Sequence, residues 1–216
     1  MINLINWDCL EEMKKIESGS IDCLLVDPPY WMDFQSNYRK EKYNKISNDK
    51  SLDWIDDFVD ETYRVLKNNT HWYIFCSFHN IDKFKQALER KYKVKNILIW
   101  EKNNTSMWDL KWDYAPKYEM IIFVHKWRRE LLWWFRFANI FKFARTGNNF
   151  HPTEKPVDLI EFLLKNSTKE NEIVMDCFMG GGSIWVACKN LNRHFIWIEL
   201  DKTYFDIATN RINKEI

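Results

Sequence analysis

The residues best equipped for chemistry stand in two short segments far apart along the chain. The first, Asp27-Pro28-Pro29-Tyr30, follows directly on the apolar run Ile21 to Val26. Two consecutive prolines cannot continue a central strand and force the preceding residue into an extended conformation. A carboxylate, backbone carbonyls without ladder partners and an aromatic ring would therefore share one position, suited to accepting hydrogens and to stacking on a planar group. The second segment is Val174-Met175-Asp176-Cys177-Phe178-Met179-Gly180-Gly181-Gly182-Ser183. Its glycines let a backbone approach a ligand closely. It lacks the lysine of a phosphate-binding P-loop, which excludes a nucleoside triphosphatase. The next apolar run, Phe195 to Ile198, ends in Glu199, an acid placed to accept hydrogen bonds from ribose hydroxyls. Strand, turn, helix, strand and acid together indicate a nucleoside-bearing cofactor; dinucleotide and adenosylmethionine both satisfy the series.

Positioning these groups requires alternating elements. Runs rich in β-branched and aromatic residues predict strands over 21–26, 72–76, 97–100, 120–124, 172–176 and 195–199. Amphipathic stretches predict helices over 9–16, 53–66, 81–91, 157–166, 183–191 and 203–214. In the second of these Trp54, Phe58, Tyr63 and Leu66 recur at helical spacing, and Pro156 suits the first turn of the fourth. Strands separated by helices need crossovers, hence a mostly parallel Rossmann-like α/β sheet with helices on both faces. Ligands bind such sheets at the carboxyl ends of their strands. Segments 103–116 and 126–152 show no sustained period and read as functional loops on the rim.

Composition narrows the classes. The 216 residues, 46% hydrophobic and 29% charged, suffice for one domain with a real core. No run reaches the ~18 apolar residues of a membrane helix, and Met1 to Cys9 lacks the pattern of a signal peptide; a cytoplasmic chain is expected. Five widely spaced cysteines without a C-x-x-C pair argue for reduced thiols. The five histidines have no metal-ligand spacing, so no metal is expected. The net charge of +1 does not itself favour a polyanion, but charge is concentrated locally. Lys126, Arg128, Arg129, Arg136, Lys142 and Arg145 lie in one stretch with the single acid Glu130, interleaved with aromatic residues. A weaker basic run holds Arg39, Lys40, Lys42, Lys45 and Lys50.

Three segments in order, Asp27-Pro28-Pro29-Tyr30, then His151-Pro152-Thr153-Glu154-Lys155-Pro156, then Asp176 to Gly182, resemble the DNA amino methyltransferases that modify adenine N6 or cytosine N4. With the catalytic motif first and the cofactor motif last, the chain is similar to their β group, in which the fold is circularly permuted. The resemblance implies S-adenosyl-L-methionine lying across Asp176, Phe178, Gly180 and Gly182, with Glu199 on its ribose, Asp8 at its adenine ring and Lys155 near its methionine end. It implies that Asp27 and the Pro28 carbonyl accept the two hydrogens of the target amine. The lone pair is then localised for in-line attack on the sulfonium methyl, while Pro29 completes the turn and Tyr30 stacks on the flipped base. The motif begins with Asp rather than Ser, which favours adenine N6; cytosine N4 differs only in the pocket. The implied partner is double-stranded DNA, contacted by a recognition insertion at 126–150 through Lys126, Arg128, Arg129, Arg136, Lys142 and Arg145. So short an insertion leaves room for a homodimer, and the family for a partner restriction endonuclease.

Glycine and tryptophan depart from the expected counts. Glycine numbers 5 where about 15 is usual for this length, and tryptophan 12. Trp7, Trp31, Trp185 and Trp197 stand where the family has glycine, and Trp108, Trp112, Trp127, Trp133 and Trp134 stand in loop-like contexts. An indole at Trp185 is expected to push its helix off the sheet. Reading these nine as glycine restores the usual count and leaves Trp54, Trp72 and Trp100 as core residues; UGA decoded as glycine would explain the pattern. If the tryptophans are real, the rival is a nucleic-acid-binding module that has lost its cofactor.

Overall fold

The run Ile21–Val26 is buried along its whole length, because it lies inside a sheet covered on both faces. A computed structural model describes residues 2–28, 53–105, 112, 114–133, 137–147, 151 and 153–215. Within these, eight strands form one sheet: β1 (Ile2–Ile5), β2 (Ile21–Val26), β3 (Leu66–Cys76), β4 (Lys93–Glu101), β5 (Tyr118–Lys126), β6 (Ile140–Lys142), β7 (Ile173–Asp176) and β8 (His194–Ile198). Their order is β1-β8-β7-β2-β3-β5-β4-β6. Pairing is parallel except where β5 runs against β3 and β4, so the expected mostly parallel α/β sheet is present.

Alternation along β2 divides its side chains between two cores. Leu24 and Val26 pack with Met13, Phe58, Phe84 and Leu88, contributed by helices α1 (Cys9–Met13), α2 (Ile55–Val65) and α3 (Ile81–Glu89). Cys23 and Leu25 face the opposite layer, with Leu163, Ala187 and Ile212 from α4 (Val157–Ser167), α5 (Ser183–Asn190) and α6 (Lys202–Glu215). Three helices thus cover each face, as parallel crossovers require.

Three expectations need correction. The short edge strands β1 and β6 carry too few residues for a period to be visible in sequence. The span 126–150 is not one loop: it opens on the last residue of β5 and contains β6. Trp185 does not displace α5, since it is 1% exposed and packs edge-on against Phe195 at 6.3 Å.

Direction decides which rim each segment reaches. The parallel strands β1, β2, β3, β7 and β8 end at one rim, with Asp8, Asp27, Asp176 and Glu199 just at or beyond their tips. Because β5 is antiparallel, it begins at that rim and delivers Lys126 to the opposite one, where it pairs with Thr70. β6 returns parallel to β4, bringing Lys142 beside Glu101 at the first rim. Leu25→Ala, which empties a fully buried position beneath Asp27, is expected to cost about 2–5 kcal/mol of unfolding free energy in denaturant titration.

Candidate active site

Parallel pairing of β2 with β7, Cys23 to Val174 and Leu24 to Met175, sets Asp27 and Asp176 at neighbouring strand tips. The two segments singled out in the sequence therefore meet. Asp176 is 1% exposed. One carboxylate oxygen accepts from the Phe178 N–H at 3.0 Å and the other from the Trp197 indole at 3.3 Å. Burial, reinforced by the negative charges of Asp27 and Glu199, raises its pKa to about 8 despite those donors.

The glycine turn is folded tightly against β8. Gly180 and Gly182 take φ of +50° and +81°, a left-handed backbone that side chains resist. A Cβ on Gly180 would lie 3.5 Å from the His151 ring, and one on Gly182 3.1 Å from the Trp197 ring. Glu199 is also engaged: its carboxylate accepts from the Gly180 N–H at 2.9 Å and the Asp201 N–H at 2.9 Å. Burial raises its pKa. Asp8 caps α1, accepting from the N–H groups of Leu10 at 2.9 Å and Glu11 at 3.3 Å. Phe178 is half-buried and packs on Trp54 and Phe58.

Lys155 stands at the same rim, beside Asp27. Its ammonium, 5% exposed, binds the Asp27 carboxylate, donates to the Thr153 carbonyl at 3.0 Å and lies 3.4 Å from Glu119. Burial alone would lower its pKa, but the charges of Asp27 and Glu119 outweigh that and hold it above the usual lysine value. The neighbouring His151 is held neutral, its pKa lowered to about 4 by burial and by the Lys155 charge. Residues Pro29, Tyr30, Trp31, Trp108, Trp134, Arg136, Pro152 and the basic run 39–50 lie outside the described residues.

The basic stretch divides between the rims. Lys126 is 8% exposed, and its ammonium donates to the carbonyls of Tyr63 and Leu66 at 2.6 Å each. Arg129 donates from one guanidinium nitrogen, Nη2, to both Glu172 carboxylate oxygens, at 2.7 and 2.9 Å. Both charges serve the fold, at the rim away from Asp27. Arg128 lies beside them and is exposed, whereas Lys142, 77% exposed, and Arg145 stand on the Asp27 side. The sequence reading grouped all six because spacing does not reveal an antiparallel strand between them.

It also missed Arg211 of α6. Arg211 donates to the Gly181 carbonyl at 2.7 Å and to Glu154 at 3.0 Å, with side chains only 10% and 4% exposed. The contact ties the glycine turn to the His151–Pro156 segment, across a sequence distance no local pattern signals.

A permuted α/β sheet whose first motif sets Asp27 at a strand tip and whose last sets a glycine turn beside it has the architecture of a methyltransferase fold. The DNA methylase family profile matches residues 21–144 and 125–210, and the chain belongs to that family of adenine-N6 and cytosine-N4 amino methyltransferases. It is 30% identical over 246 residues to the type II methyltransferase M2.LlaDCHI of Lactococcus lactis subsp. cremoris, covering 98% of this chain and 89% of that protein. The crystal structure of the M1.HpyAVI–SAM complex superposes with a TM-score of 0.75 at 28% identity, covering 98% of this chain and all of that one. PvuII DNA methyltransferase, a cytosine-N4-specific enzyme, shares the fold with a TM-score of 0.74 at 15% identity over 97% of this chain and 87% of its own. These findings give the non-catalytic reading no support.

Arg211→Met is expected to cost about 3–5 kcal/mol, because it removes the cation facing the buried Glu154 carboxylate. Adding Glu154→Gln should recover part of that loss in a double-mutant cycle followed by denaturant unfolding.

Proposed function

We propose that this protein transfers a methyl group from S-adenosyl-L-methionine to the exocyclic N6 of adenine in a short DNA sequence, after the base leaves the duplex. The observation that carries the reading is the adjacency of Asp27 and Asp176 at one rim, with the glycine turn between β7 and α5. The cofactor fits these residues. Gly180 and Gly182 hold the turn in a left-handed backbone free of side chains, and Asp176 is a buried acid whose hydrogen bonds come from neutral donors, so a positively charged ligand nearby would relieve its raised pKa. Asp176, Phe178, Gly180, Gly182 and Glu199 would hold it, with Asp8 at the β1 tip towards its adenine ring and Lys155 bordering the methionine end through Asp27. When bound, S-adenosyl-L-methionine supplies an electrophilic methyl group.

The chain's own contribution is placement and electrostatics. An exocyclic amine is a weak nucleophile because its lone pair is delocalised into the ring. The Asp27 carboxylate and the Pro28 carbonyl accept its two hydrogens, which localises the lone pair on nitrogen and orients it. The Lys155 ammonium sets a positive charge directly against the Asp27 carboxylate. Tyr30 stacks on the extruded base and Pro29 fixes the turn that presents it. The leading Asp of the motif favours adenine over cytosine N4.

DNA contact is assigned to Lys142 and Arg145, which share the Asp27 rim, and to Arg136, within a recognition insertion over 126–150. Lys126 and Arg129 are withdrawn from that role by their internal partners, and Arg128 by its rim. No helix among the described residues is long and apolar enough to cross a membrane; a cytoplasmic enzyme is in keeping with that. The likeness to type II methyltransferases supports a restriction–modification setting with a partner endonuclease, and the small recognition insertion supports a homodimer.

Chromatography of nucleosides from DNA methylated by the enzyme should yield N6-methyladenine; N4-methylcytosine would reassign the base. Asp27→Asn should lower kcat about 10²–10³-fold while cofactor affinity, read by calorimetry, stays within a few-fold.

A further inference from the structure

One cation at this rim serves two acids on different strands. Lys155 binds Asp27 at the tip of β2 and lies 3.4 Å from Glu119, the second residue of β5. Glu119 in turn binds Lys102, just beyond β4, at 2.6 Å. Glu119 reaches the site only because β5 is antiparallel and begins where its neighbours end. Its side chain is three-quarters buried, and Oε2, the oxygen nearest Lys155, lacks a well-aligned hydrogen bond. The Phe75 ring lies 5.0 Å from the Lys155 ammonium. Also near this group are the Cys76 thiol, pushed up to about 12 by burial and by Glu119 and Asp27, and the neutral His151.

We infer that Glu119 is a positioning residue for methyl transfer: it competes with Asp27 for the Lys155 ammonium, which is hydrogen-bonded to Asp27 and only ion-paired with Glu119, so that the Asp27 carboxylate can still accept the amine hydrogens of the target base. The inference rests on the reading of Asp27 as amine acceptor. An ammonium–carboxylate contact is charge-assisted and outcompetes a neutral amine donor for the same oxygen. Dividing the ammonium between two carboxylates weakens that competition without removing the positive charge beside Asp27. Lys102 sets how strongly Glu119 can pull.

Glu119→Gln keeps the shape and removes the charge. It should lower kcat about tenfold, the equivalent of one pKa unit of differential interaction, with the KM for S-adenosylmethionine unchanged. It should also bring a falling alkaline limb into the rate profile at lower pH than in the wild type. Burial favours loss of the Lys155 proton, and only Asp27 would then oppose it. Lys102→Met should move that limb the other way and leave kcat undiminished, and Glu119→Asp should restore part of the rate. Unchanged kcat and pH profile in Glu119→Gln, or a limb that moves the same way in both variants, overturns the inference. So does a rate loss matched by lost cofactor binding and lower thermal stability, which would mark a merely structural role. Full activity in Asp27→Asn would instead defeat the underlying reading of Asp27.

A second inference rests on backbone geometry. Among the described residues, the non-glycine positions at positive φ are Asn69, Asn171, Asn192 and Trp127, the last at +65°. Asparagine tolerates this region; a bulky aromatic residue there is an outlier. The Trp127 ring is 62% exposed, so no packing compensates, and Trp112 is 88% exposed. With 5 glycines against 12 tryptophans, we propose that UGA codons rendered as tryptophan at Trp127, and at the likewise exposed Trp112, are decoded as glycine in the source cell. Mass spectrometry of Glu-C peptides from the natively produced protein tests it. Peptide 120–130 should be lighter by the one indole side chain of Trp127, replaced by hydrogen. Intact tryptophan at 127 overturns it.

Discussion

Everything at this site depends on the parallel pairing of β2 with β7. These strands lie far apart in the chain, yet their register fixes Cys23 against Val174 and Leu24 against Met175, so the tips carrying Asp27 and Asp176 are neighbours. The pairing is held by burial rather than by rim chemistry: β2 is closed off on both faces, by two cores each built from three helices. Further from the tips, Asp22 adds a polar lock. Its carboxylate accepts from the Ile173 N–H at 2.9 Å and binds Lys67 at 2.7 Å.

Burial then makes the rim electrostatically demanding. Asp176 and Glu199 have pKa values raised by desolvation, while Lys155 and Glu119 stay charged only because each faces opposite charge strongly enough to overcome it. Such an arrangement is costly in an empty fold and useful in an enzyme, since fixed charges in a dry crevice act strongly on a reacting amine. Arg211 extends the same logic to cofactor geometry by joining Gly181 and Glu154 across two segments.

Much of the architecture was legible in the chain. The run 21–26 coincides with β2, and the helices over 81–91 and 157–166 differ from the structure by only a residue or two at their ends. Strand-tip acids were visible because apolar runs end abruptly at Asp27, Asp176 and Glu199. Long-range direction was not visible. Nothing local announces that β5 is antiparallel, so Lys126 was grouped with Lys142 although they end on opposite rims. For the same reason Glu119 read as an ordinary strand residue and Arg211 as a helix-surface cation. Their partners are set by topology, which spacing along the sequence does not carry.

The most direct measurement is a crystal structure of the protein with S-adenosylhomocysteine and a DNA duplex containing the target base. The account predicts the sulfur between the tips of β2 and β7, with the flipped base's amine hydrogen-bonded to Asp27. A ligand seated at the rim of Lys126 and Arg129, or a target amine remote from Asp27, would contradict it.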